Sequence, residues 1–352
     1  MANAMVIELG LHRPKSGVAQ TSYSNILGFD CPTKLTPMQI EERRTVIGCF
    51  CLTSSICRGL RKPNSLKYHD YIEECSQVLS KVSVAETDRL LPFFTQIHRL
   101  GEEVSDAFDY SNHGQLAKLD PVGIEMFNRT LSRQIQDIQR YFPPEAWSNP
   151  ILRISYAHLR IYVSEISLHA VASDEDPFTT PTPSARTSWY HSSARTELLI
   201  RCLQAAKDYL DTMLALTALE YCFLTVSHYI DIFYALLILG KFTEGCDSPS
   251  LNGEQVRQAA NLHYYLDALD EKFGALLVST HGPSQRNNIW NLKLLCQETK
   301  RWYTRIISGA PGSDQVMGGP IISFANIVPS IQNLCGMLSG RGVLLLFASQ
   351  MS

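Results

Sequence analysis

The stretch that decides the fold is residues 41–79, which read EERRTVIGCFCLTSSICRGLRKPNSLKYHDYIEECSQVL. Its first half repeats apolar residues at helical rather than alternating spacing, which predicts an amphipathic α-helix. A basic turn ending at Pro63 follows, because proline cannot continue a helix. The second half returns to helical spacing. Two helices joined by a short basic turn are therefore the first element we predict.

The same spacing extends through most of the chain. It predicts an all-α fold, a large irregular helical domain of about ten or more helices that could form two packed lobes. Beyond the opening stretch, helices are predicted over 123–141, 150–171, 193–216, 218–240, 252–277 and 286–308.

Changes in composition mark the candidate boundaries. Prolines with Ser and Thr cluster at 172–195, which predicts a solvated, mobile loop. This loop would separate an N-terminal helical lobe, 1–171, from a C-terminal helical lobe, 196–308. The remaining residues, 309–352, combine a Gly/Pro-rich connector with an apolar tail.

Charge and hydropathy exclude several classes. The formal net charge is -3, so no whole-molecule positive field favours nucleic acid, and we expect no direct nucleic-acid binding by this chain alone. The N-terminus lacks the pattern of a signal or transit peptide, which predicts an intracellular protein. No uninterrupted apolar run reaches the roughly 18 residues of a membrane span. We therefore expect no membrane partner.

Ten cysteines are scattered without a CxxC pair, which predicts reduced and mostly buried thiols. Cys49 and Cys51 would project from a helix about 200° apart, so they converge poorly on a metal. No esterase, metalloprotease, phosphate-loop or dinucleotide motif is present. We therefore expect neither a metal nor a cofactor.

Five polar residues are the candidate site, because polar groups on apolar helix faces need a partner. They are His158, Tyr162 and Glu165 at helical spacing, and His228 and Asp231 three positions apart. Each group could be a structural network or the wall of a ligand pocket. If the chain is an enzyme, His158, Glu165, His228 and Asp231 would be its working groups, although no nucleophile is identified.

Residues 4–14, AMVIELGLHRP, followed by residues 41–79, resemble the middle homology (regulatory) region of fungal binuclear zinc-cluster transcription factors. The matching elements are Leu9–Arg13, the double arginine Arg43-Arg44, and the turn Leu60–Pro63. The resemblance extends to about residue 308 through FNRTLSRQIQDIQRYFPP, ILRISYAHLRIYVSEISLH and LTVSHYIDIFYALLILGKF.

The chain departs from the family pattern in two ways. Residues 46–48, Val-Ile-Gly, and 52–54, Leu-Thr-Ser, stand where many relatives have an aromatic pair and Leu-Asp-Arg. No cysteine spacing reproduces the six-cysteine cluster, which needs closely spaced thiolates that bridge two metals. We therefore expect a regulatory domain without its N-terminal zinc-cluster DNA-binding domain.

The resemblance implies a regulatory or effector domain that controls transcription in the nucleus. Its partner would be a small-molecule effector or a transcriptional co-regulator protein, and the chain could form a homodimer. A ligand would act by shifting the population of helical arrangements. The alternative is an enzyme of fungal secondary metabolism, in the cytoplasm, that reuses the helical scaffold around an apolar substrate pocket.

Overall fold

A computed structural model of the chain describes residues 7–8, 10–11, 13, 35–59, 63–108, 121–169, 191–221, 223–244, 251–279 and 283–308. Every regular element in these ranges is an α-helix or a 3-10 helix, which confirms the predicted all-α fold. Most of the predicted loop 172–195 and all of the tail 309–352 lie outside the described residues. Among the described helices, none combines the length and apolarity needed to span a bilayer.

The elements of the first half are α1 Pro37–Gly59, α2 Asp70–Val82, a 3-10 helix Glu86–Leu90, α3 Leu91–Phe108, α4 Pro121–Tyr141, α5 Pro144–Trp147, α6 Pro150–Ser164 and a 3-10 helix Glu165–His169. Those of the second half are α7 Ser193–Ala215, α8 Ala218–Tyr221, α9 Val226–Glu244, α10 Gly253–Ala260, α11 Leu262–Ser279 and α12 Pro283–Ser308. The chain forms two compact units. Unit 1 takes its described residues from 1–116 and 129–159, and unit 2 takes them from 117–128 and 160–352.

Unit 1 is built around the predicted helix, turn and helix, now α1 and α2, with α3 packed against both. Helix α1 begins with a capping box, in which Thr36 Oγ1 accepts from the Gln39 amide at 3.3 Å and Gln39 Oε1 accepts from the Thr36 amide at 2.9 Å. Pro37 follows as the first helical residue, where no amide hydrogen is needed. The buried core groups Val46, Phe50, Leu66 and Ile72 in one cluster and Ile40, Ile47, Cys75 and Leu79 in a second.

Unit 2 packs α7 against α9 and α11, and α11 against α12. Two predicted helices are each divided. The helix predicted over 218–240 is two helices, α8 and α9, because a second helix start occurs at Thr225. The helix predicted over 252–277 breaks at Asn261, whose φ of 46° ends α10 in the left-handed region that Asn tolerates.

The described cysteines are all free thiols. Cys75, Cys202 and Cys296 are buried, whereas the three cysteines of α1 are half-buried. Burial raises the pKa of the Cys75 thiol to about 12, with the Tyr71 hydroxyl and Arg43 opposing the rise. Because the thiolate is the reactive form, Cys75 is an inert core residue at neutral pH.

Candidate functional site

A polar cleft in unit 1 lies between the second half of α1, the turn before α2 and the second half of α3. The free space within it measures about 10 Å³, about what one water molecule needs. The cleft was not predicted from the sequence, because its parts come from segments separated by tens of positions. Its lining residues are Ser54, Cys57, Arg58, Asn64, Lys67, His98, Gly101, Glu102 and Ser105.

Glu102 on α3 is the acceptor that holds the turn in place. Its Oε2 accepts from the backbone N–H of Tyr68 at 2.8 Å, and its Oε1 accepts from Asn64 Nδ2. Asn64 Oδ1 in turn accepts from the Leu66 amide at 3.0 Å, which closes a local Asx-type turn. Burial raises the pKa of Glu102, while the hydrogen bonds from Tyr68 and Asn64 oppose that rise. The carboxyl therefore fastens the α1–α2 connection to α3.

Arg58 and Gly101 form a second close contact in the cleft. Arg58, at the end of α1, is only 6% exposed, and its guanidinium lies against the backbone of α3 at Gly101. A Cβ at position 101 would overlap Arg58 Nη1 and would stand 3.5 Å from Arg58 Cδ and Cζ. Glycine is thus the residue that lets the arginine side chain pass.

The double arginine that carries part of the family resemblance has a structural role in unit 1. Arg43 is 8% exposed and donates from Nη1 to the Gln39 carbonyl at 3.3 Å. Arg44 donates from Nε to Asp88 Oδ1 at 2.9 Å and from Nη2 to Asp88 Oδ2 at 2.7 Å. This pair, led by its hydrogen bonds, raises the pKa of Arg44 and lowers that of Asp88. Neither arginine presents a free charge for a phosphate backbone.

The five residues predicted as a candidate site are all buried. Their exposed fractions are 1% for His158, 1% for Tyr162, 2% for Glu165, 9% for His228 and 4% for Asp231. His158 belongs to unit 1 and the other four belong to unit 2. Tyr162 lies in the last turn of α6, and Glu165 is the first residue of the following 3-10 helix. That these residues bind a ligand stays a prediction.

His228 caps the start of α9. Its Nδ1 accepts from the Thr225 amide at 3.0 Å and lies 2.9 Å from Thr225 Oγ1. Its own carbonyl accepts from the Tyr209 hydroxyl at 3.0 Å, which joins α9 to α7. A ring nitrogen that accepts from a backbone amide must be unprotonated, so these contacts describe a neutral imidazole that caps a helix. Asp231 lies one turn further along the same helix.

Two cations that the sequence did not single out hold the 3-10 helix Glu165–His169 within unit 2. Arg195 Nε donates to the Ser167 carbonyl at 3.1 Å, and Lys241 Nζ donates to the Leu168 carbonyl at 3.1 Å. Arg195 is 3% exposed. Positive charge is favourable at the carbonyl end of a helix, where the last carbonyls lack partners. A basic residue at a helix start gives no sequence signal for a partner 28 positions away.

In the described part of the chain, no three His, Cys, Asp or Glu side chains are grouped to hold an ion. Desolvation raises the pKa of the Cys51 thiol to about 12, although Arg58 lowers it in part. Such a thiol stays protonated at neutral pH, so Cys51 is a poor nucleophile.

Comparison with known proteins identifies relatives of one kind. The chain is 24% identical over 275 residues to Transcription factor opdL of Penicillium oxalicum, which covers 74% of this chain and 44% of that protein. It is 26% identical over 176 residues to Transcription factor himD of Aspergillus japonicus, covering 50% and 27% of the two chains. It is 28% identical over 102 residues to Transcription factor pbcR of Emericella nidulans, which covers 29% of this chain and 14% of that protein.

These matches support a relation to fungal transcription factors. The chain spans less than half the length of each of these relatives. No family model matches the chain. No solved structure matches it either.

Proposed function

We propose that this chain is a regulatory domain of a fungal transcription factor and that it acts by binding rather than by catalysis. The observation that carries the proposal is the alignment over 275 residues with a protein named a transcription factor. Buried polar side chains such as Glu102 and Arg195 hold neighbouring elements together, which is a structural rather than a catalytic role. We place its action in the nucleus, where transcription occurs.

A co-regulator protein is the partner we propose, in preference to a small-molecule effector. The cleft of unit 1 has room for about one water molecule, whereas ligand pockets are typically about 300–1,000 Å³. The five predicted site residues are buried, so a metabolite would reach them only after helices separate. A protein, in contrast, binds an exposed helix surface without opening the core.

The alternative prediction, an enzyme of fungal secondary metabolism, gains no support from the contacts around His228. Its Nδ1 is occupied by the Thr225 amide in the helix cap, so that nitrogen does not serve as a general base while α9 keeps its first turn.

A reporter assay tests the proposed function. The chain is fused to a heterologous DNA-binding domain in a fungal host, and transcript from a reporter carrying the cognate site is measured. We expect the transcript level to differ from that given by the DNA-binding domain alone. A fusion carrying Ile47→Asp, which places a charge at a fully buried core position, should lose the difference.

A second measurement identifies the class of partner. Proteins that co-purify with the nuclear fusion are compared with those bound by the Ile47→Asp fusion. We expect the wild-type fusion to capture a transcriptional co-regulator that the Ile47→Asp fusion does not capture. A folded, nuclear fusion that leaves reporter transcript at the level of the DNA-binding domain alone would contradict the proposed function. Regulation that requires an added metabolite, without a co-purifying protein, would instead favour the small-molecule effector.

A further inference from the structure

The outer face of α12 carries two large apolar side chains. Trp290 is 57% exposed and Leu294 is 43% exposed. Residues four apart lie on the same side of a helix, so they form one apolar patch. The inner face of the same helix is buried, as expected for a helix packed on α11, with Ile289, Leu292, Leu295 and Cys296 at most 1% exposed. An exposed tryptophan on a well-packed helix is typical of a protein interface.

Charged residues flank this patch at the same four-residue spacing. Arg286 lies four positions before Trp290 and is exposed. Glu298 lies four positions after Leu294, and its side chain keeps 35% exposure beside Arg301. We call Arg286, Trp290, Leu294 and Glu298 the α12 stripe. It extends about 18 Å along the helix, because each residue rises 1.5 Å.

The α12 stripe matches a second copy of itself, in shape and in charge, when the two helices run antiparallel. In an antiparallel pair of identical helices with the two-fold axis at position 292, residue 290 faces residue 294 of the other helix. In the same register, residue 286 faces residue 298. Trp290 would then pack on Leu294 of the second copy, and Arg286 would meet Glu298 of the second copy, each contact occurring twice. A parallel pair would instead place Arg286 against Arg286.

We propose that the α12 stripe binds the α12 stripe of a second copy of this chain, forming an antiparallel two-fold dimer. The same surface serves both subunits, as a two-fold interface requires. Side chains at four-residue spacing form the ridges that most often interdigitate where two helices pack together. Stable interfaces bury about 1,200–2,000 Å² in total, and a stripe of four side chains on each copy buries less than this range. The dimer is therefore reversible and depends on concentration.

Sedimentation velocity of the full chain over a range of concentrations tests the dimer. The wild-type chain should shift from monomer to dimer as concentration rises, and Trp290→Ala should remain monomeric over the same range. The matched control is Leu219→Ala, since Leu219 is 69% exposed and belongs to α8 rather than to the stripe. This variant should dimerise like the wild type. Circular dichroism checks that each variant keeps its helix content.

A charge exchange tests the antiparallel register. Arg286→Glu alone would face Glu298 of the second copy, and Glu298→Lys alone would face Arg286, so each variant should be monomeric. An equimolar mixture of the two variants should restore dimers, because every facing pair is then of opposite charge. A monomeric wild-type chain, a dimer that persists in Trp290→Ala, or a mixture that stays monomeric would overturn the proposal. A monomeric chain that still regulates the reporter would overturn the dimer alone.

Discussion

Arg44 on α1 holds the carboxylate of Asp88, 44 positions away, by two parallel hydrogen bonds. The carboxylate also accepts from the Ala85 amide at 2.9 Å, and its side chain is only 4% exposed. The pair therefore joins α1 to the 3-10 helix that precedes α3. A two-point arginine–carboxylate pair of this kind fixes geometry as well as charge.

Removing Arg44 should therefore destabilise unit 1. We expect Arg44→Ala to lower the free energy of unfolding by about 2–3 kcal/mol, somewhat below the usual cost of breaking a buried pair because Arg44 keeps 26% exposure. Urea denaturation at neutral pH measures the change. The control is Arg89→Ala, since Arg89 makes an exposed hydrogen bond to Ser83 and should change stability by about 0.5 kcal/mol or less.

The same pair has a predicted pH dependence. Arg44 holds the pKa of Asp88 below its ordinary value. This stabilisation is present above the unfolded-state pKa, about 3.9, and is lost as pH falls through the lower folded-state pKa. The stability difference between wild type and Arg44→Ala should shrink on acidification. A difference that stays constant down to about pH 2 would contradict the ion pair.

Two helical glycines should respond differently to alanine. Gly101→Ala should cost about 1 kcal/mol relative to Gly48→Ala, because the far end of the Arg58 side chain must move aside. Gly48→Ala in α1 meets no atom within 4 Å and should stabilise the protein by about 0.5–1 kcal/mol through helix propensity. Thermal unfolding of both variants gives the comparison. Equal effects at the two positions would show that Arg58 does not occupy the space above Gly101.

The ionisation of Glu102 should lower the free energy of unfolding as pH rises. Burial raises its folded-state pKa, so the native state retains the proton longer than the unfolded state does. Between the unfolded-state pKa of about 4.3 and the raised value, stability falls with increasing pH. Glu102→Gln removes this ionisation, so its stability relative to wild type should improve from acidic to neutral pH. An unchanged difference across that interval would contradict the raised pKa.

Arg195 should be required for local order at the 3-10 helix Glu165–His169. Arg195→Ala removes a buried donor to the Ser167 carbonyl and should cost about 2–3 kcal/mol. Hydrogen exchange should increase first at the amides of that 3-10 helix. Arg201→Ala on the same helix α7 is the control, since Arg201 forms an exposed side-chain ion pair with Glu197 and should change stability by about 0.5 kcal/mol or less. Equal exchange in the two variants would exclude the bracing role.

The sequence anticipated the elements whose signals are local. Helical spacing predicted α1, α2 and α7, and the turn at Pro63 separated the first two. The divisions within 218–240 and 252–277 were missed, because apolar spacing continues across both breaks. Asn261 and Thr225 are residue types that favour helix ends but also occur within helices, and only the structure showed that both are at ends.

The candidate site was harder to predict than the fold. His228 was singled out as a polar group in an apolar helix, and its described contacts are those of a helix cap. Arg195 and Glu102 were not singled out, although each is buried and holds a connection between elements. A buried polar residue is visible in a sequence as an irregularity, but its partner is tens of positions away and leaves no periodic trace.

The sequence by itself determined that this chain is helical and related to fungal transcription factors, because helix formation and family patterns depend on residues close together along the chain. Only the tertiary structure decided which charges pair, as with Arg44 and Asp88, and which side chains stay exposed, as with Trp290. The physical reason is distance. Periodicity reports neighbours within one or two turns, whereas pairing and exposure depend on segments that meet only after the helices pack.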